Sequence, residues 1–381
     1  MRILVVHNHY QDVGGEDMVF HQEVDYLKQS HEVETLTFQN KKGWKGLLQY
    51  LSYPYNLWAG QKLKRKIKSF CPDVIHVHNI HYASGPILFR VAQQENIPVA
   101  FTLHNYRMVC PSALLFFEER RYMESIGKSF PWNAVKLGVL DHSIPKTFLT
   151  AFTYRLHAWL GTWSKVDAFI PLTSWAGRIL MEGNLGIRKE QIFIKPNFIS
   201  PLPFTLEETE KYYIYIGRLS VEKGVKQLFA NFDNEAAPHL KVIGDGPLRA
   251  LAPNRRNIEL LGYLNRDKIT HYLLKAKAVI IPSICLEGFP LALLEGMSLK
   301  KLIIISQEIA ASEIIEDGVN GFKINPENFL STLKEIDQRE DLNAIAERGH
   351  QVFLDHFTPE KVMNQLNEIY QVIKDRKADQ G

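Results

Sequence analysis

The chain alternates short apolar runs with helical patterns, and it does so in two series. The runs are rich in Val and Ile, and several are apolar at successive positions, as in parallel strands buried on both faces. The first series comprises 2–7, 32–38, 73–78, 99–104, 168–173 and 192–197. The second comprises 212–217, 241–244, 258–263, 278–283, 301–306 and 321–325. Strand–helix alternation in two series predicts an α/β protein with two doubly wound domains.

The pattern is interrupted at "KPNFISPLPF" (195–204), which contains three prolines. We therefore place an N-terminal domain at 1–197 and a C-terminal domain at 205–357, and 381 residues suffice for two such domains. Thr358 and Pro359 suit the start of a last helix at about 359–377, which we expect to pack back on the N-terminal domain. The sequence does not assign the elements of the aromatic, poorly periodic stretch 106–165.

Composition excludes several classes of protein. A hydrophobic content of 45% with 23% charged residues is typical of a soluble globular protein, and a net charge of +3 does not indicate a nucleic-acid partner. No apolar run reaches the roughly 18 residues of a membrane span, and the apolar stretch in "MRILVVHNHY" is shorter than a signal peptide requires. Three widely spaced cysteines fit a reducing compartment, so we expect a cytoplasmic location.

The segment "EGFPLALLEGMS" (287–298) places two glutamates on either side of a predicted helix start. Pro290 suits the first helical position, which puts Glu287 in the preceding loop and Glu295 in the second turn. A helix N-terminus favours phosphate, and ligands of open α/β sheets bind beyond the carboxyl ends of the strands. The two carboxylates are therefore placed to bind the hydroxyls of two sugars with a diphosphate between them. The alternative is an ordinary helix with a solvated glutamate.

Two other loops follow predicted strands of the same domain. "GRLSVEKG" (217–224) places Arg218 and Lys223 in one loop, and both residue types bind diphosphates. "IGDGPLR" (243–249) offers two glycines for close backbone approach, but Arg249 stands where a dinucleotide fingerprint needs glycine. Taken singly, these are also the patterns of a solvated basic loop and of an ordinary glycine turn.

Together, "GR…EKG", "GDGP" and "EGFPLALLEG" resemble, in this order, the donor domain of retaining GT-B glycosyltransferases of the family-4 type (glycosyl transferases group 1). The resemblance covers nearly the whole chain, is strongest in 212–325 and is weaker before 110. It implies two Rossmann-like domains that face each other across a cleft, with a nucleotide-sugar as the donor substrate.

The resemblance also implies a role for each matched residue. Arg218 and Lys223 would bind the donor diphosphate, Glu287 the hydroxyls of the transferred sugar, and Glu295 the nucleotide ribose. Backbone N–H groups from Gly288 to Leu291 would line the sugar and the phosphates. The implied catalytic residues are His104, Glu287, Arg218 and Lys223. The implied donor-binding residues are Gly14, Gly15, Gly217, Arg218, Lys223, Gly244, Gly246, Glu287, Gly288, Phe289, Pro290, Leu291 and Glu295.

The N-terminal half supplies two of these positions. In "YQDVGGEDM" (10–18), Gly14 and Gly15 allow close approach to a ligand, while the acidic pair that follows suits the first turn of a helix. In similar enzymes this loop faces the donor phosphates and the acceptor, and a histidine at the position of His104 faces the reacting sugar. The alternative for the loop is a plain turn before an acidic helix start.

Histidines in "VIHVHNIHY" (74–82) raise the question of a metal. His76 and His78 lie on one face of a predicted strand, but we favour a structural role for them. The chain has no H-E-x-x-H, no paired cysteines and no D-x-D. We therefore expect no metal and no other cofactor, with the helix N-terminus, Arg218 and Lys223 in place of a metal on the diphosphate.

The stretch "GQKLKRKIKSF" (60–70) is basic and amphipathic, with Leu63, Ile67 and Phe70 at helical spacing. Aromatic residues are dense just before it, at Trp44, Tyr50, Tyr53, Tyr55 and Trp58. Such a helix can lie on an anionic membrane, and aromatic residues favour the membrane interface. We expect weak, salt-sensitive binding to the inner face of the cytoplasmic membrane; the alternative is a solvated helix face.

The sequence therefore predicts transfer of a sugar, with retention of configuration, to a carbohydrate or lipid-linked acceptor in bacterial cell-surface glycan assembly. No dedicated nucleophile is apparent, which favours same-face attack assisted by the departing phosphate. Other enzymes of the same architecture, a nucleotide-sugar epimerase or a sugar phosphorylase, are alternatives. A non-catalytic nucleotide-sugar-binding protein is another.

Overall fold

The computed structural model describes residues 1–11, 14–203, 210–234 and 236–379. The chain divides into two compact α/β units. The first comprises residues 1–115, 122–196 and 362–381, and the second comprises residues 116–121 and 197–361. The predicted start of the second domain, 205, lies outside the described residues.

The first unit is built on a sheet of five parallel strands. The strands of this half of the chain are β1 (Arg2–His9), β2 (Glu32–Gln39), β3 (Val74–Val77), β4 (Val99–Leu103), the short β5 (Phe116–Phe117) and β6 (Arg120–Arg121), and β7 (Ala168–Pro171). The sheet order is β2-β1-β3-β4-β7. The helices are α1 (Gly15–Leu27), α2 (Gly43–Ser52), α3 (Leu57–Phe70), α4 (Ile87–Gln94), α5 (Trp132–Leu137), α6 (Ile144–Trp159) and α7 (Ser174–Glu182).

The strand predicted at 192–197 is wrong. This segment runs beside β7, where the N–H groups of Phe193 and Lys195 donate to carbonyls of Phe169 and Pro171 at 2.9 and 3.1 Å. Pro171 has no N–H to donate in return, so only the isolated bridge between Phe169 and Ile192 forms.

The second unit contains a six-stranded parallel sheet. Its strands are β8 (Tyr212–Ile216), β9 (His239–Ile243), β10 (Ile258–Gly262), β11 (Ala278–Ile281), β12 (Leu302–Ser306) and β13 (Phe322–Ile324), in the order β10-β9-β8-β11-β12-β13. The helices are α8 (Val225–Phe232), α9 (Arg266–Lys275), α10 (Leu291–Ser298), α11 (Leu330–Asp337), α12 (Leu342–His356) and α13 (Pro359–Ala378). This is the strand order of a Rossmann fold, as the two series of runs predicted.

The segment 116–121, which the sequence placed in the N-terminal domain, belongs to the second unit. It is the antiparallel hairpin of β5 and β6, turned by Glu118 and Glu119 at positive φ. Arg121 donates to the carbonyl of Glu308 at 2.5 Å, and Lys226 pairs with Glu119. Side chains of this hairpin therefore contact residues far along the chain, which periodicity does not reveal.

Most of α13 belongs to the first unit. The hydroxyl of Tyr370 lies 2.6 Å from Nδ1 of His76, and Lys374 donates to Asp73 at 2.9 Å. Among the described residues, none of the helices has both the length and the apolar character needed to cross a membrane.

The basic stretch 60–70 is the larger part of α3, but its apolar side is not available to a membrane. Leu63, Ile67 and Phe70 are 0%, 5% and 2% exposed and form part of the core of the first unit. Two of its lysines are paired, Lys64 with Glu95 and Lys66 with Glu34. The prediction that this helix is the membrane-binding element is therefore wrong for its apolar face.

Candidate functional site

The strand order of the second unit reverses between β8 and β11, which are neighbours in the sheet. Ligands of open α/β sheets bind at such a reversal, beyond the carboxyl ends of the strands. The loop after β8 contains residues 217–224 and the loop after β11 contains residues 282–290. The N–H groups of Ile284 and Cys285 donate to the carbonyl of Glu222 at 3.1 and 3.2 Å, so the backbone itself joins the two loops.

Lys223 and Glu287 meet where these loops join. The ammonium group of Lys223 donates to Oε1 of Glu287, and the hydroxyl of Ser283 donates to Oε2 at 2.8 Å. The two charged side chains are 28% and 15% exposed, so solvent and ligands reach them. Burial alone would lower the pKa of Lys223, but the Glu287 carboxylate outweighs it and the pKa is raised. Lys223 is therefore a charged and oriented donor, and Ser283 is a contributor that the sequence reasoning missed.

Arg218 opens the loop after β8 and is exposed. Its carbonyl accepts a 2.7 Å hydrogen bond from the hydroxyl of Tyr215, which fixes the backbone at this point. Within the described part of the chain, its guanidinium makes no hydrogen bond or ion pair. The guanidinium is therefore free to bind an anion.

The glycines Gly217, Gly244 and Gly246 allow two loops to touch. A Cβ atom on Gly244, whose φ is +137°, would lie 1.9 Å from the carbonyl oxygen of Gly217. One on Gly246 would lie 2.4 Å from the carbonyl oxygen of Leu219, and the N–H of Leu219 donates to the backbone carbonyl of Asp245 at 2.9 Å. In this structure Gly244 and Gly246 approach the protein's own backbone, and their approach to a ligand stays a prediction.

The start of α10 supplies further N–H donors. The helix begins at Leu291, and Pro290 is the residue before it, one position earlier in the helix than predicted. Pro290 has no N–H, so the predicted donors reduce to Gly288, Phe289 and Leu291, and the first N–H groups of a helix have no intrahelical acceptor. The loop is held in place by Asn197, which donates to the carbonyl of Phe289 at 3.1 Å.

Glu295 lies in the second turn of α10 and is half-buried. Burial raises the pKa of its carboxyl group, and the positive charge of Arg266 opposes that shift. No internal hydrogen bond to this carboxylate exists among the described residues, so its oxygens remain available to hydroxyl groups. Arg266, at the start of α9, is a neighbour that the sequence did not indicate.

In the first unit, Gly14 and Gly15 form the start of α1, with Gly14 as the N-cap residue. The N–H of Gly14 donates to Oδ2 of Asp17 at 2.8 Å, and His7 and His9 lie 3.0 and 2.7 Å from Oδ1 of the same carboxylate. The two acidic residues lie in the first turn of α1, as predicted. Asp12 and Val13 of the predicted glycine loop lie outside the described residues.

His104 follows β4 directly and ends a chain of buried polar groups. Its Nε2 lies 3.1 Å from Nδ1 of His78, and His78 in turn lies 3.2 Å from Glu23, without the alignment of a hydrogen bond. Lys195 donates to the other oxygen of Glu23 at 2.8 Å. Burial opposes ionisation, but Lys195, His78 and His76 hold the pKa of Glu23 well below its usual range.

This environment determines the charge of His104. Burial, assisted by the positive field of His78 and Lys195, lowers the pKa of His104 well below its usual value. The imidazole is therefore neutral at pH 7 and can exchange hydrogen bonds without adding charge. Glu23 and Lys195 could not be identified from the sequence, because they lie 172 residues apart and only the fold brings them together.

Two groups of described side chains have the residue types and spacing of a metal site: His7, His9 and Asp17, and Glu23, His76 and His78. In the second group the Lys195 ammonium already neutralises the carboxylate, which disfavours a cation. In the first group both histidines point at one carboxylate oxygen. The expectation that no metal is needed stays a prediction.

The structure thus gathers Lys223 and Glu287 at the joined loops of the second unit, with Arg218 in the first of those loops. Gly14, Gly15 and His104 lie in the first unit, where they belong to separate hydrogen-bond networks.

Comparison with known proteins agrees with this architecture. Residues 202–351 match the family model described as glycosyl transferases group 1, and residues 13–201 match glycosyltransferase family 4. An uncharacterised glycosyltransferase of Methanocaldococcus jannaschii is 27% identical over 42% of this chain. The matched regions span only 48% and 34% of the length of two such proteins from that organism.

Two further proteins extend the comparison. A putative colanic acid biosynthesis glycosyltransferase of Salmonella typhimurium, WcaL, is 23% identical over 62% of this chain and 64% of its own length. The crystal structure of Anabaena HepE in complex with UDP superposes with a TM-score of 0.68 at 14% identity, covering 98% of this chain and 100% of that chain. The fold is that of GT-B glycosyltransferases, and the chain belongs to the family-4, group 1 glycosyltransferases.

Proposed function

We propose that the protein is a retaining glycosyltransferase that moves a sugar from a nucleoside-diphosphate sugar to an acceptor hydroxyl. The observation that carries the proposal is the Lys223–Glu287 pair, which lies partly exposed at the strand reversal of the second unit. Among the described residues, Arg218 and the N–H groups at the start of α10 are further donors without internal partners, and all of these groups suit a diphosphate.

In the proposed reaction, the bond between the anomeric carbon and the diphosphate oxygen breaks, and negative charge develops on the leaving diphosphate. Arg218, Lys223 and the start of α10 stabilise that charge, with a contribution of about 3 kcal/mol per donor. The acceptor hydroxyl attacks the same face, and its proton passes to the departing phosphate. Glu287 holds Lys223 and contacts a hydroxyl of the transferred sugar, while Glu295 binds the ribose.

His104 is proposed to contact the reacting sugar. Its Nε2 is engaged by His78, so Nδ1 is the atom left for a sugar hydroxyl. Because burial lowers the pKa of His104, the contact adds no positive charge beside an anomeric carbon that itself becomes positive. Gly14 and Gly15 would leave room for the donor phosphates and the acceptor.

We further propose that the acceptor is a carbohydrate or lipid-linked glycan of the bacterial cell surface and that the enzyme works at the inner face of the membrane. The similarity to WcaL supports polysaccharide assembly, and UDP in HepE makes UDP-sugars the first donors to test.

The proposal is tested by incubating the protein with each of a panel of nucleotide-sugars, with and without glycan acceptors, and measuring released nucleoside diphosphate. We expect nucleoside diphosphate to be released only when an acceptor is present. The anomeric NMR signals of the product should show the same configuration as the donor. Conversion of the donor into an isomer without release would indicate an epimerase. Tight donor binding with neither reaction would indicate a non-catalytic binding protein.

A further inference from the structure

Helix α2 has no buried residue. Trp44, Leu47, Leu48 and Leu51 are 68%, 56%, 56% and 61% exposed. Their spacing of three and four residues places them on one stripe, which a helix of a globular protein normally packs against a core. An exposed apolar stripe of this size indicates a surface that another body covers.

The stripe continues into the start of α3. Leu57 and Trp58 are 63% and 58% exposed, and an open groove of about 630 Å³ separates them from α2. We call the set Trp44, Leu47, Leu48, Leu51, Leu57 and Trp58 the α2 face. It reaches further apolar surface on α6, because Tyr50 of α2 donates to the carbonyl of Pro145 at 2.5 Å, beside the exposed Ile144.

The segment that carries the α2 face has charges of one sign only. Residues 40–72 contain no Asp or Glu. Lys41, Lys42 and Lys45 are exposed at the start of α2, and Lys62 lies over the ring of Phe38 at 4.7 Å and that of Trp58 at 5.6 Å. Exposed Trp and Leu ringed by Lys are typical of helices that lie in a membrane interface.

We propose that the α2 face docks the protein onto an anionic lipid bilayer. A second copy of the chain is a poorer partner, because a symmetric contact would set the lysine ring of one copy against that of the other. A bilayer with anionic headgroups complements both the lysines and the apolar side chains of this surface, since its headgroups pair with Lys and its interface accepts Trp and Leu. The proposal keeps the membrane contact predicted for Trp44 and Trp58, and it replaces the buried apolar side of 60–70 by the exposed leucines of α2 and of the start of α3.

This surface deepens the proposed location at the membrane, and it is independent of the proposed sugar transfer because none of its residues belongs to the donor site. Loss of membrane binding and loss of donor binding are therefore separable.

The test is co-sedimentation of the full chain with vesicles of phosphatidylcholine alone and with about 30% phosphatidylglycerol, at low and high salt. The wild type should bind only the anionic vesicles, and less at high salt. The variant K41S/K42S/K45S should bind them at least tenfold more weakly, since each lysine contributes roughly fivefold at low salt. Trp44→Ser with Leu48→Ser and Leu51→Ser should weaken binding similarly while keeping the thermal midpoint, because all three side chains are exposed.

The matched control is K268S/K334S/K361S, which removes the same charge from exposed positions of the second unit and should bind like the wild type. A wild type that ignores anionic vesicles at low salt would overturn the proposal. A control variant that loses as much binding as the α2 variants would also overturn it. So would a wild-type dimer that dissociates only when Trp44, Leu48 and Leu51 are replaced by Ser.

Discussion

The hydroxyl of Ser283 donates a 2.8 Å hydrogen bond to Oε2 of Glu287, the carboxylate oxygen that Lys223 does not occupy. Both oxygens of Glu287 are thus fixed from the protein side. Since Ser283 is 2% exposed, this bond is shielded from water and holds the carboxylate in one orientation. Glu287 in turn orients Lys223, so a buried serine controls the position of the charge proposed to meet the diphosphate.

Ser283→Ala should lower kcat/KM by about threefold to tenfold, the value of one neutral-to-charged hydrogen bond that water replaces in part. The effect should lie mainly in kcat, because Glu287 is proposed to touch the sugar being transferred. Ser220→Ala is the control: Ser220 is also buried and bonds a glutamate, Glu222, at 2.5 Å. Equal losses in the two variants would mean that Ser283 only stabilises the loop.

Glu295→Gln should raise the donor KM more than it lowers kcat, since ribose contacts are similar in the ground and transition states. Glu287→Gln should act mainly on kcat, because it weakens the orientation of Lys223 as well as the sugar contact. Initial rates over a range of donor concentrations separate the two. The opposite pattern would mean that the roles of the two glutamates are exchanged.

The pattern of apolar runs predicted both parallel sheets, because buried parallel strands are apolar on both faces and differ clearly from the helices between them. It failed at 192–197, where composition is strand-like but Pro171 of the neighbouring strand cannot donate a ladder hydrogen bond. It also failed for the hairpin 116–121, whose two-residue strands are too short to show a period.

That the loops of Arg218, Lys223 and Glu287 meet was predictable, because these loops follow strand ends and parallel strands bring those ends together; their binding of the donor stays a prediction. Ser283 was not, since a serine at a strand end gives no signal until its distance to Glu287 is known. The network of Glu23, His78, His104 and Lys195 depends on contacts between distant segments. The apolar face of 60–70 was misassigned because sequence alone does not show which amphipathic helix packs against a core.

Stability should depend on pH through His157, which is fully buried between Thr162 and the carbonyl of Pro54, both at 2.9 Å. Burial lowers the pKa of His157 to about 4, so the folded protein keeps it neutral, while in the unfolded chain it takes up a proton near the ordinary histidine pKa of 6.5. Unfolding therefore binds a proton below about pH 6.5, and stability falls by about 1.4 kcal/mol per pH unit as pH falls toward 4.

Urea unfolding of wild type and His157→Gln at several pH values between about 4.5 and 7.5 checks this. The variant should be less stable at neutral pH but should lose less stability on acidification. Burial raises the pKa of Glu16 and Glu295, which makes stability rise on acidification, opposite to the effect of His157. Because both proteins share this contribution, the difference between their pH slopes isolates His157. Equal pH slopes would contradict the argument.

Removal of metal should leave activity unchanged, since Arg218, Lys223 and the start of α10 already supply positive charge to the diphosphate. Dialysis against EDTA followed by rate measurement with and without added Mg²⁺ or Mn²⁺ tests this. Activity that is abolished and then restored by metal would contradict it and would direct attention to His7, His9 and Asp17.

The central claim is that the second unit binds the donor diphosphate through Arg218 and Lys223. It is tested most directly by calorimetric titration of a nucleoside diphosphate, UDP first and then the other bases, into wild type, Arg218→Ala, Lys223→Ala and the control Lys226→Ala. Lys226 lies three residues beyond Lys223, and its partly exposed side chain pairs with Glu119. We expect each of the first two variants to bind about ten- to a hundredfold more weakly, from loss of a charged hydrogen bond, and Lys226→Ala to match the wild type. The account would be contradicted if folded Arg218→Ala and Lys223→Ala bound a nucleoside diphosphate as tightly as the wild type. It would also be contradicted if the wild type bound no nucleoside diphosphate.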